Sequence, residues 1–381
     1  MTNRVHVMTF LVVLGLAALA QAQTFTTLYQ FTGGSDGAFP YAGVVRDKAG
    51  KLYGTTLFGG PSWYGVVFKL NTFGNETVLH SFGASGDGQY PEDPLARDGE
   101  GNLYGTTTHG GANGDYGTVF KIDTAGNETV LHSFAGGASD GCSPQQGLLR
   151  DKAGNLYGTT ASCGSSNQGT IFKIDSAGNF SILHSFAGSP SDGAAPQVGH
   201  LTMDTKGNLY GLTWVGGAND VGALYKLSRK GKLTLLYSFK ASGWTVCGAA
   251  GSVVLDKNGN LYGTTVACGS NNYGTIWKVS KKGKETVLHN FGPSDSCQAG
   301  GVVRDSKGNL YGTLWGGCGS SYYGALWKLS AGGTFTLLHS FNSSDGQQPN
   351  SDLWRTNKGE LFGTTSAGGF YGYGTVWSYV P

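Results

Sequence analysis

Short runs of β-branched and aromatic residues, separated by turn residues, recur along almost the whole chain. In one representative stretch they occupy residues 94–98, 102–107, 117–122 and 128–134, and Val, Ile, Thr, Tyr and Phe dominate them. Beyond the N-terminal segment no uninterrupted helical pattern of about 10 residues or more appears. The pattern therefore predicts an all-β protein whose strands come in groups of four, which we label A to D in chain order.

A Leu-aromatic-Gly motif on predicted strand B returns seven times. Its aromatic members are Tyr53, Tyr104, Tyr157, Tyr210, Tyr262, Tyr311 and Phe362. They are separated by 51, 53, 53, 52, 49 and 51 residues. Four strands in a repeat of about 50 residues are typical of a β-propeller blade. The sequence thus predicts a seven-bladed β-propeller with four antiparallel strands in each blade.

Turn chemistry and the chain ends complete this prediction. Asp-x-x-Gly turns, such as Asp47 to Gly50, join strand A to B and strand C to D, so both tight hairpins lie at one end of each blade. The longer connections lie at the other end, which we call the long-loop face. No strand D follows the last strand C, residues 374–379, and the missing copy occurs at residues 25–31. We expect this N-terminal strand to close the last blade and remove an open sheet edge.

Residues 1–22 have the pattern of a secretory signal: Arg4 precedes an apolar run over residues 10–20, and Ala20-Gln21-Ala22 suits cleavage. We therefore expect a signal peptide, 1–22, followed by a single propeller domain, 23–381. The product should be exported, to the cell surface, the periplasm or the extracellular space, with no transmembrane segment in the mature chain and as a monomer. A net charge of +2 with scattered Lys and Arg predicts no nucleic-acid partner.

The six cysteines form three pairs with a spacing of 21 residues: Cys142 with Cys163, Cys247 with Cys268, and Cys297 with Cys318. One member of each pair lies in the D-to-A loop and the other in the B-to-C loop, and four blades lack both members. In an exported chain this even count predicts three disulfides rather than metal ligands.

Several polar positions repeat with the blades. Five histidines share one position on strand D, for which we favour a structural hydrogen bond over a metal site: His80, His132, His184, His289 and His339. Five arginines share one position on strand A, where a basic ring in the channel competes with a salt bridge to a turn Asp: Arg46, Arg97, Arg150, Arg304 and Arg355. An Asp-Gly-x-x-Pro motif recurs before strand A and reads first as a turn, with a calcium site as the second interpretation. No other cofactor or metal is predicted.

The recurring Gly-Asn-Leu-Tyr-Gly-Thr-Thr, Tyr-Gly-Thr-Val-Phe-Lys and Glu-Thr-Val-Leu-His-Ser-Phe of residues 101–134 resemble the GloVer (Gloeo/Verruco) tandem repeat of bacterial exported proteins. The resemblance covers essentially the whole mature chain and implies an extracellular propeller. Proteins of that family often carry a variable C-terminal surface anchor. The resemblance concerns the repeats and includes no such anchor. The family supplies no catalytic residues.

Loop positions that break the repeat are the candidates for ligand binding, because ligands generally bind at loops rather than on repeated strands. The aromatic candidates on the long-loop face are Trp63, Trp214, Trp244, Trp315, Phe370 and Tyr371. Aromatic rings beside Asp, Asn and Ser suit stacking against sugars, and packing among the loops is the alternative. His200 stands where other blades have Gly43, Pro94, Gly147, Ser252, Gly301 or Asp352, and strand A could aim it at the channel.

The sequence contains no nucleophile elbow, phosphate-binding loop, His-Glu-x-x-His helix or EF-hand loop. We therefore predict a binding or scaffold module that engages a glycan or an extracellular protein through its long-loop face, with no assigned catalytic residue. The alternative is a hydrolase or lyase acting on a polysaccharide, with His200 and loop aspartates as acid and base.

Overall fold

The computed structural model describes residues 23–381, except for 198, 242–246, 294, 296–298, 317–321 and 350. The predicted signal peptide, the Cys297–Cys318 pair and Trp244 lie outside the described residues. The described part of the chain is built from strands, and it contains no helix that is long and apolar enough to cross a membrane.

The strands form seven four-stranded antiparallel sheets, one for each predicted blade. Blades 1 and 2 consist of β2 (Val45–Arg46), β3 (Leu52–Thr56), β4 (Val66–Leu70) and β5 (Glu76–Ser81), then β7 (Ala96–Arg97), β8 (Leu103–Thr107), β10 (Thr118–Ile122) and β11 (Glu128–Ser133). Blades 3 and 4 consist of β13 (Leu149–Arg150), β14 (Leu156–Thr160), β16 (Thr170–Ile174) and β17 (Phe180–Ser185), then β19 (Thr202–Met203), β20 (Leu209–Thr213), β22 (Ala223–Leu227) and β23 (Leu233–Ser238). Blades 5 and 6 consist of β24 (Ala249–Leu255), β25 (Leu261–Thr265), β26 (Thr275–Val279) and β27 (Glu285–Asn290), then β28 (Ala299–Arg304), β29 (Leu310–Leu314), β30 (Ala325–Leu329) and β31 (Phe335–Ser340).

The last blade is closed by the first strand, as the sequence predicts. Blade 7 consists of β32 (Trp354–Arg355), β33 (Leu361–Thr365), β34 (Thr375–Val380) and β1 (Thr24–Gln30). Strand β1 runs antiparallel to β34, with Thr24 opposite Val380 and Gln30 opposite Thr375. The ring is a seven-bladed β-propeller, and its first and last strands pair in one sheet.

The long connections pair with each other at the end of the blade opposite the tight hairpins. In three blades they form separate two-stranded ribbons, β6 (Gly88–Gln89) with β9 (His109–Gly110), β12 (Gly141–Cys142) with β15 (Ser162–Cys163), and β18 (Gly193–Ala194) with β21 (Val215–Gly216). In blades 5 and 6 the same pairing extends strand A itself, which is why β24 and β28 are longer than the other inner strands. Two predicted disulfides lie among these loops, Cys142–Cys163 with a Cα–Cα distance of 5.4 Å and Cys247–Cys268 with 5.0 Å.

The hydrophobic core lies between the blades rather than in a common centre. Each of seven clusters joins residues from two neighbouring blades; one of them packs Phe82 of blade 1 against Phe120 of blade 2, and both rings are almost fully buried. The glycine of the Leu-Tyr-Gly motif belongs to this packing, because the strand C aromatic of the same blade covers it. A Cβ on Gly105 would lie 2.5 Å from Cζ of Phe120.

Candidate functional site

The segments before the seven A strands converge on the axis of the ring, which confirms that strand A lines the channel. Residues of blades 1, 2, 3, 4 and 7 line one small cavity there, including Gly43, Pro94, Gly147, His200 and Asp352. There is little space for side chains this close to the axis of the ring, because a Cβ on Gly301 would collide with the carboxylate of Asp352. In this restricted space, three polar residues from different blades contact one another.

Those residues are His200, Ser252 and Asp352, which come from blades 4, 5 and 7. Nδ1 of His200 lies 3.1 Å from Oδ2 of Asp352 and 2.6 Å from Oγ of Ser252. The Ser252 hydroxyl donates to the same carboxylate oxygen at 2.6 Å and accepts the backbone N–H of His200 at 2.9 Å. Burial alone would raise the pKa of Asp352, but the hydrogen bonds and charge of His200, together with Ser252, outweigh it and lower the pKa.

This polar cluster does not have the geometry of a nucleophilic relay. In such a relay the hydroxyl and the carboxylate contact opposite nitrogens of the imidazole, whereas both contact Nδ1 of His200 here. The His200 side chain keeps 38% of its surface exposed, and no partner for Nε2 is found among the described residues. The arrangement fixes the ring and leaves one imidazole nitrogen available in the channel.

A cavity of about 470 Å³ opens at the long-loop mouth of the channel. Trp214 and Trp315 reach into it from the B-to-C loops of blades 4 and 6. The polar lining comes from the segments before strand A, namely Glu92, Asp93, Gln145, Gln197 and Asp352. No Lys or Arg lines this cavity in the part of the chain that the structure describes. Aromatic faces and hydrogen-bonding groups of acidic character therefore face one space.

Two of these carboxyl groups are perturbed. Burial raises the pKa of Asp93 well above its ordinary value, and the neighbouring Glu92 raises it further, although Thr106 donates a hydrogen bond of 3.0 Å to its Oδ2. Burial also raises the pKa of Glu92, while the nearby His109 partly offsets this effect. Two carboxyls held close together in a site with little water do not both ionise readily. Hydroxyl groups of a ligand can form hydrogen bonds with these carboxyls in either protonation state, and a positively charged group would favour their ionised form.

The hairpin half of the channel holds a larger cavity, of about 690 Å³, which Arg304, Arg355 and Trp354 help to line. Two of the strand A arginines thus face the channel, as the first of the two expected arrangements has it. Each guanidinium lies over an aromatic ring of the preceding blade, as Arg97 does over Tyr53 at 5.6 Å from the ring centre. No ion pair of these arginines with a turn Asp is found among the described residues. The arginines therefore brace neighbouring blades through cation–π contacts.

The structure separates the predicted aromatic candidates into two groups. Trp214 and Trp315 share the mouth cavity. Trp63 is 45% exposed beside Phe58, and Phe370 and Tyr371 contact each other edge to face, all outside the lining of that cavity. Trp63, Phe370 and Tyr371 thus remain predicted ligand-binding residues of the long-loop face, outside this cavity.

Sequence reasoning missed the polar lining of the mouth. These residues directly follow the proline of the Asp-Gly-x-x-Pro motif: Tyr41 after Pro40, Glu92 and Asp93 after Pro91, Gln145 after Pro144, and Gln197 after Pro196. They occupy the same position in each repeat, but their side chains differ from blade to blade. That variation is the signal that would have identified them.

The repeated histidines and the motif aspartates bond to each other at the outer rim. His80, His132, His184 and His339 each contact the Asp of the following motif at 2.9 to 3.2 Å, as in His80 with Asp87 at 3.1 Å. The same Asp87 accepts the backbone N–H of Gly83 and of Gly88. These contacts confirm the structural hydrogen bond predicted for the histidines at four of the five positions; Nε2 of His289 lies 3.5 Å from Asp295 and makes no hydrogen bond within the described part of the chain. The aspartates lie in separate junctions between blades, so they do not converge on a shared calcium site.

Comparisons with known proteins place the chain among propellers. The extracellular domain of BT4673 from B. thetaiotaomicron is 13% identical, with 94% of this chain and 41% of that chain covered and a TM-score of 0.60. PorZ, a surface component of the type-IX secretion system of Porphyromonas gingivalis, is 16% identical, with 92% and 47% covered and a TM-score of 0.57. This chain therefore spans less than half the length of either protein, and these similarities show the fold alone.

A search of the curated proteins finds no match. The family model of the Gloeobacter/Verrucomicrobia repeat matches residues 17–204 and 149–377, in agreement with the recurring motifs. Because these two matches together span most of the sequence, the chain belongs to the Gloeobacter/Verrucomicrobia repeat family.

Proposed function

We propose that this protein is an exported propeller that binds a glycan in the cavity at the long-loop mouth of its channel. The observation that carries the proposal is the meeting of Trp214 and Trp315 with several polar side chains in one cavity of about 470 Å³. Indole rings stack on the apolar faces of sugars, and a few placed carboxyl and amide groups satisfy sugar hydroxyls.

The charge of the cavity narrows the class of glycan. Glu92, Asp93 and Asp352 line it without any Lys or Arg among the described residues. A uronic acid or a sulfated sugar would find no cationic partner here and would bring a further negative charge beside carboxyls that already ionise with difficulty, whereas neutral sugars and amino sugars would not. We therefore expect binding of neutral or amino-bearing glycans and discrimination against anionic ones.

Export is supported first by the chemistry of the chain. Disulfides form and persist in oxidising compartments, and the described residues contain two. The N-terminal segment has the pattern of a secretory signal. Two proteins of similar fold are described as an extracellular domain and as a bacterial surface component, which is consistent with a location outside the cytoplasm.

The test is a glycan array with the mature chain, followed by titration of the best ligand. Trp214→Ala and Trp315→Ala should each weaken binding roughly 2- to 12-fold, the equivalent of about 0.5 to 1.5 kcal/mol for a lost aromatic contact. Phe73→Ala is the matched control, because Phe73 is an 88% exposed aromatic in a tight hairpin at the opposite end of its blade. Equal losses for Phe73 and Trp214, or no glycan ligand at all, would contradict the proposal.

A polysaccharide hydrolase or lyase remains the second candidate, and His200 favours it. Its Nε2 has no partner among the described residues, and its Nδ1 is fixed by Asp352, as in many general bases. Product analysis on the ligands found above separates the two functions. Bound but intact glycan supports a binding module, whereas products that disappear in His200→Ala identify an enzyme.

A further inference from the structure

One junction between blades at the outer rim differs chemically from the other six. Each junction brings together the His or Tyr of strand D in one blade and the first residue of strand D in the next blade. In the junction of blades 1 and 2, His80 and Asp87 meet Glu128. One ligand atom from each of the three side chains lies within 4.8 Å of the other two.

The equivalent junctions show what this position ordinarily does. Phe180 stacks flat on His132, with ring centres 3.8 Å apart, and Phe335 and Phe25 cover His289 and His339 in the same way. In the junction of blades 4 and 5, Tyr237 instead donates a hydrogen bond of 2.5 Å to Glu285. An aromatic ring or a hydroxyl donor therefore satisfies the position in four junctions.

The junction of blades 3 and 4 has Leu233 there, and in the junction of blades 7 and 1 Tyr29 donates to Asp36 and leaves Oε1 of Glu76 buried without a hydrogen bond to any described residue. Among the described residues, only at Glu128 does such a carboxyl also meet a histidine.

Glu128 has neither kind of partner. Its Oε1 is buried and makes no hydrogen bond, although Asp87 is close by and is itself almost fully buried. Two carboxyls and an imidazole thus face one another, and one of the carboxyl oxygens has no partner among the described residues.

From this juxtaposition we propose that His80, Asp87 and Glu128 form a binding site for a divalent transition cation such as Zn²⁺. One nitrogen and two carboxylate oxygens are a ligand set that Zn²⁺ accepts, with water in the fourth position. Zn²⁺ bonds of about 2.1 Å in tetrahedral geometry put ligand atoms about 3.4 Å apart. Nε2 of His80 already lies 3.1 Å from Oδ2 of Asp87, so small side-chain rotations suffice to bind the ion.

The proposal is independent of glycan binding, because the site lies on the outer strands and not in the channel. Untagged mature protein, freed of metal with EDTA, is titrated with Zn²⁺ by calorimetry. One saturable site is expected, and Co²⁺ in its place should give the visible absorption of a tetrahedral centre. Glu128→Gln should weaken Zn²⁺ binding about tenfold or more.

Two further variants distinguish the loss of the Zn²⁺ site from a loss of folding. Glu128→Phe reproduces the stacked junction of His132 and Phe180, so it should fold and yet lose the rise in melting temperature that Zn²⁺ gives the parent. Glu76→Gln is the matched control: Glu76 stands beside Asp36 at the junction of blades 7 and 1, where Tyr29 replaces the histidine. It should leave Zn²⁺ binding unchanged.

His109 and Asp115 form an exposed pair that could bind zinc weakly, so His109→Ala is included. The absence of saturable binding would overturn the proposal. Binding that survives Glu128→Gln, or that disappears in His109→Ala, would overturn it as well.

Discussion

The glycine of the Leu-Tyr-Gly motif shows how one repeated residue follows from one repeated contact. Gly54, Gly105 and Gly158 are each covered by the strand C aromatic of the same blade, and so are their counterparts in the other four blades. Any side chain would occupy the space of that ring. The motif is therefore a packing requirement and carries no information about ligands.

We predict that Gly105→Ala lowers the free energy of unfolding by about 1 to 3 kcal/mol, because the added Cβ overpacks the blade against Phe120. Phe120→Leu in the same chain should recover part of this loss by making room. Gly99→Ala is the control, since a Cβ there meets nothing within 4 Å. Denaturant unfolding measures all three, and equal effects at Gly99 and Gly105 would refute the packing explanation.

Glu76 gives a second prediction, on pH. Burial, and then the charge of Asp36, raise the pKa of Glu76 from 4.5 to about 7. The folded chain therefore holds this proton more tightly than the unfolded chain does, and this contribution to stability is lost as the pH rises from about 4.5 to about 7.

Glu76→Gln removes this titration. The stability of the variant relative to the parent should increase between pH 4.5 and pH 7 and then level off, as followed by denaturant unfolding at each pH. Glu100→Gln, in an exposed hairpin, serves as the control. A difference between Glu76→Gln and the parent that is constant across this range would contradict the prediction.

Strand D contains a β-bulge that the sequence pattern does not reveal. In blade 1, Val78 stands opposite Phe68 and His80 stands opposite Val67, so one residue of strand D is left over as a β-bulge. The bulge turns His80 onto the face that it would not occupy in a regular ladder, and there it meets Asp87. The same irregularity occurs in the other C-to-D pairs, including β34 with β1.

The paired long loops carry the third prediction. Cys142–Cys163 and Cys247–Cys268 both join a D-to-A loop to a B-to-C loop across 21 residues. Cys297 and Cys318 have the same spacing and the same places in blade 6, so we predict that they form the third disulfide. Peptide mapping without reduction should recover the cross-linked peptide. Finding both cysteines as free thiols would refute the pairing.

Closure of the ring is decided by a strand from the far end of the chain. Strand β1 pairs with β34 along most of its length, and Phe25 stacks on His339 of blade 6 with ring centres 3.7 Å apart. The N-terminal strand therefore joins blade 7 and also fills the junction with blade 6.

We predict that deletion of residues 23–31 exposes the edge of β34 and lowers the melting temperature, with self-association seen by light scattering. A permutant that carries these residues after Pro381, joined by the turn Asp-Thr-Ala-Gly-Asn of residues 123–127, should restore both properties. Thr24 stands opposite Val380, so a hairpin connects the two strands directly. A deletion variant that remains a monomer with the parent's melting temperature would contradict closure.

The sequence by itself determined the architecture of this protein. Blade number, strand order, the closing strand and the pairing of the long loops all follow from local turn chemistry repeated at a fixed period, since each blade repeats one supersecondary unit. The tertiary structure decided the site. Trp214 and Trp315 meet Glu92 and Asp93 because seven separate segments converge on one axis, and His200 finds Ser252 and Asp352 across 52 and 152 residues of chain. Such contacts join residues that are far apart in the sequence and depend on how the ring closes. A pattern of neighbouring residues does not contain the distances between side chains of different blades.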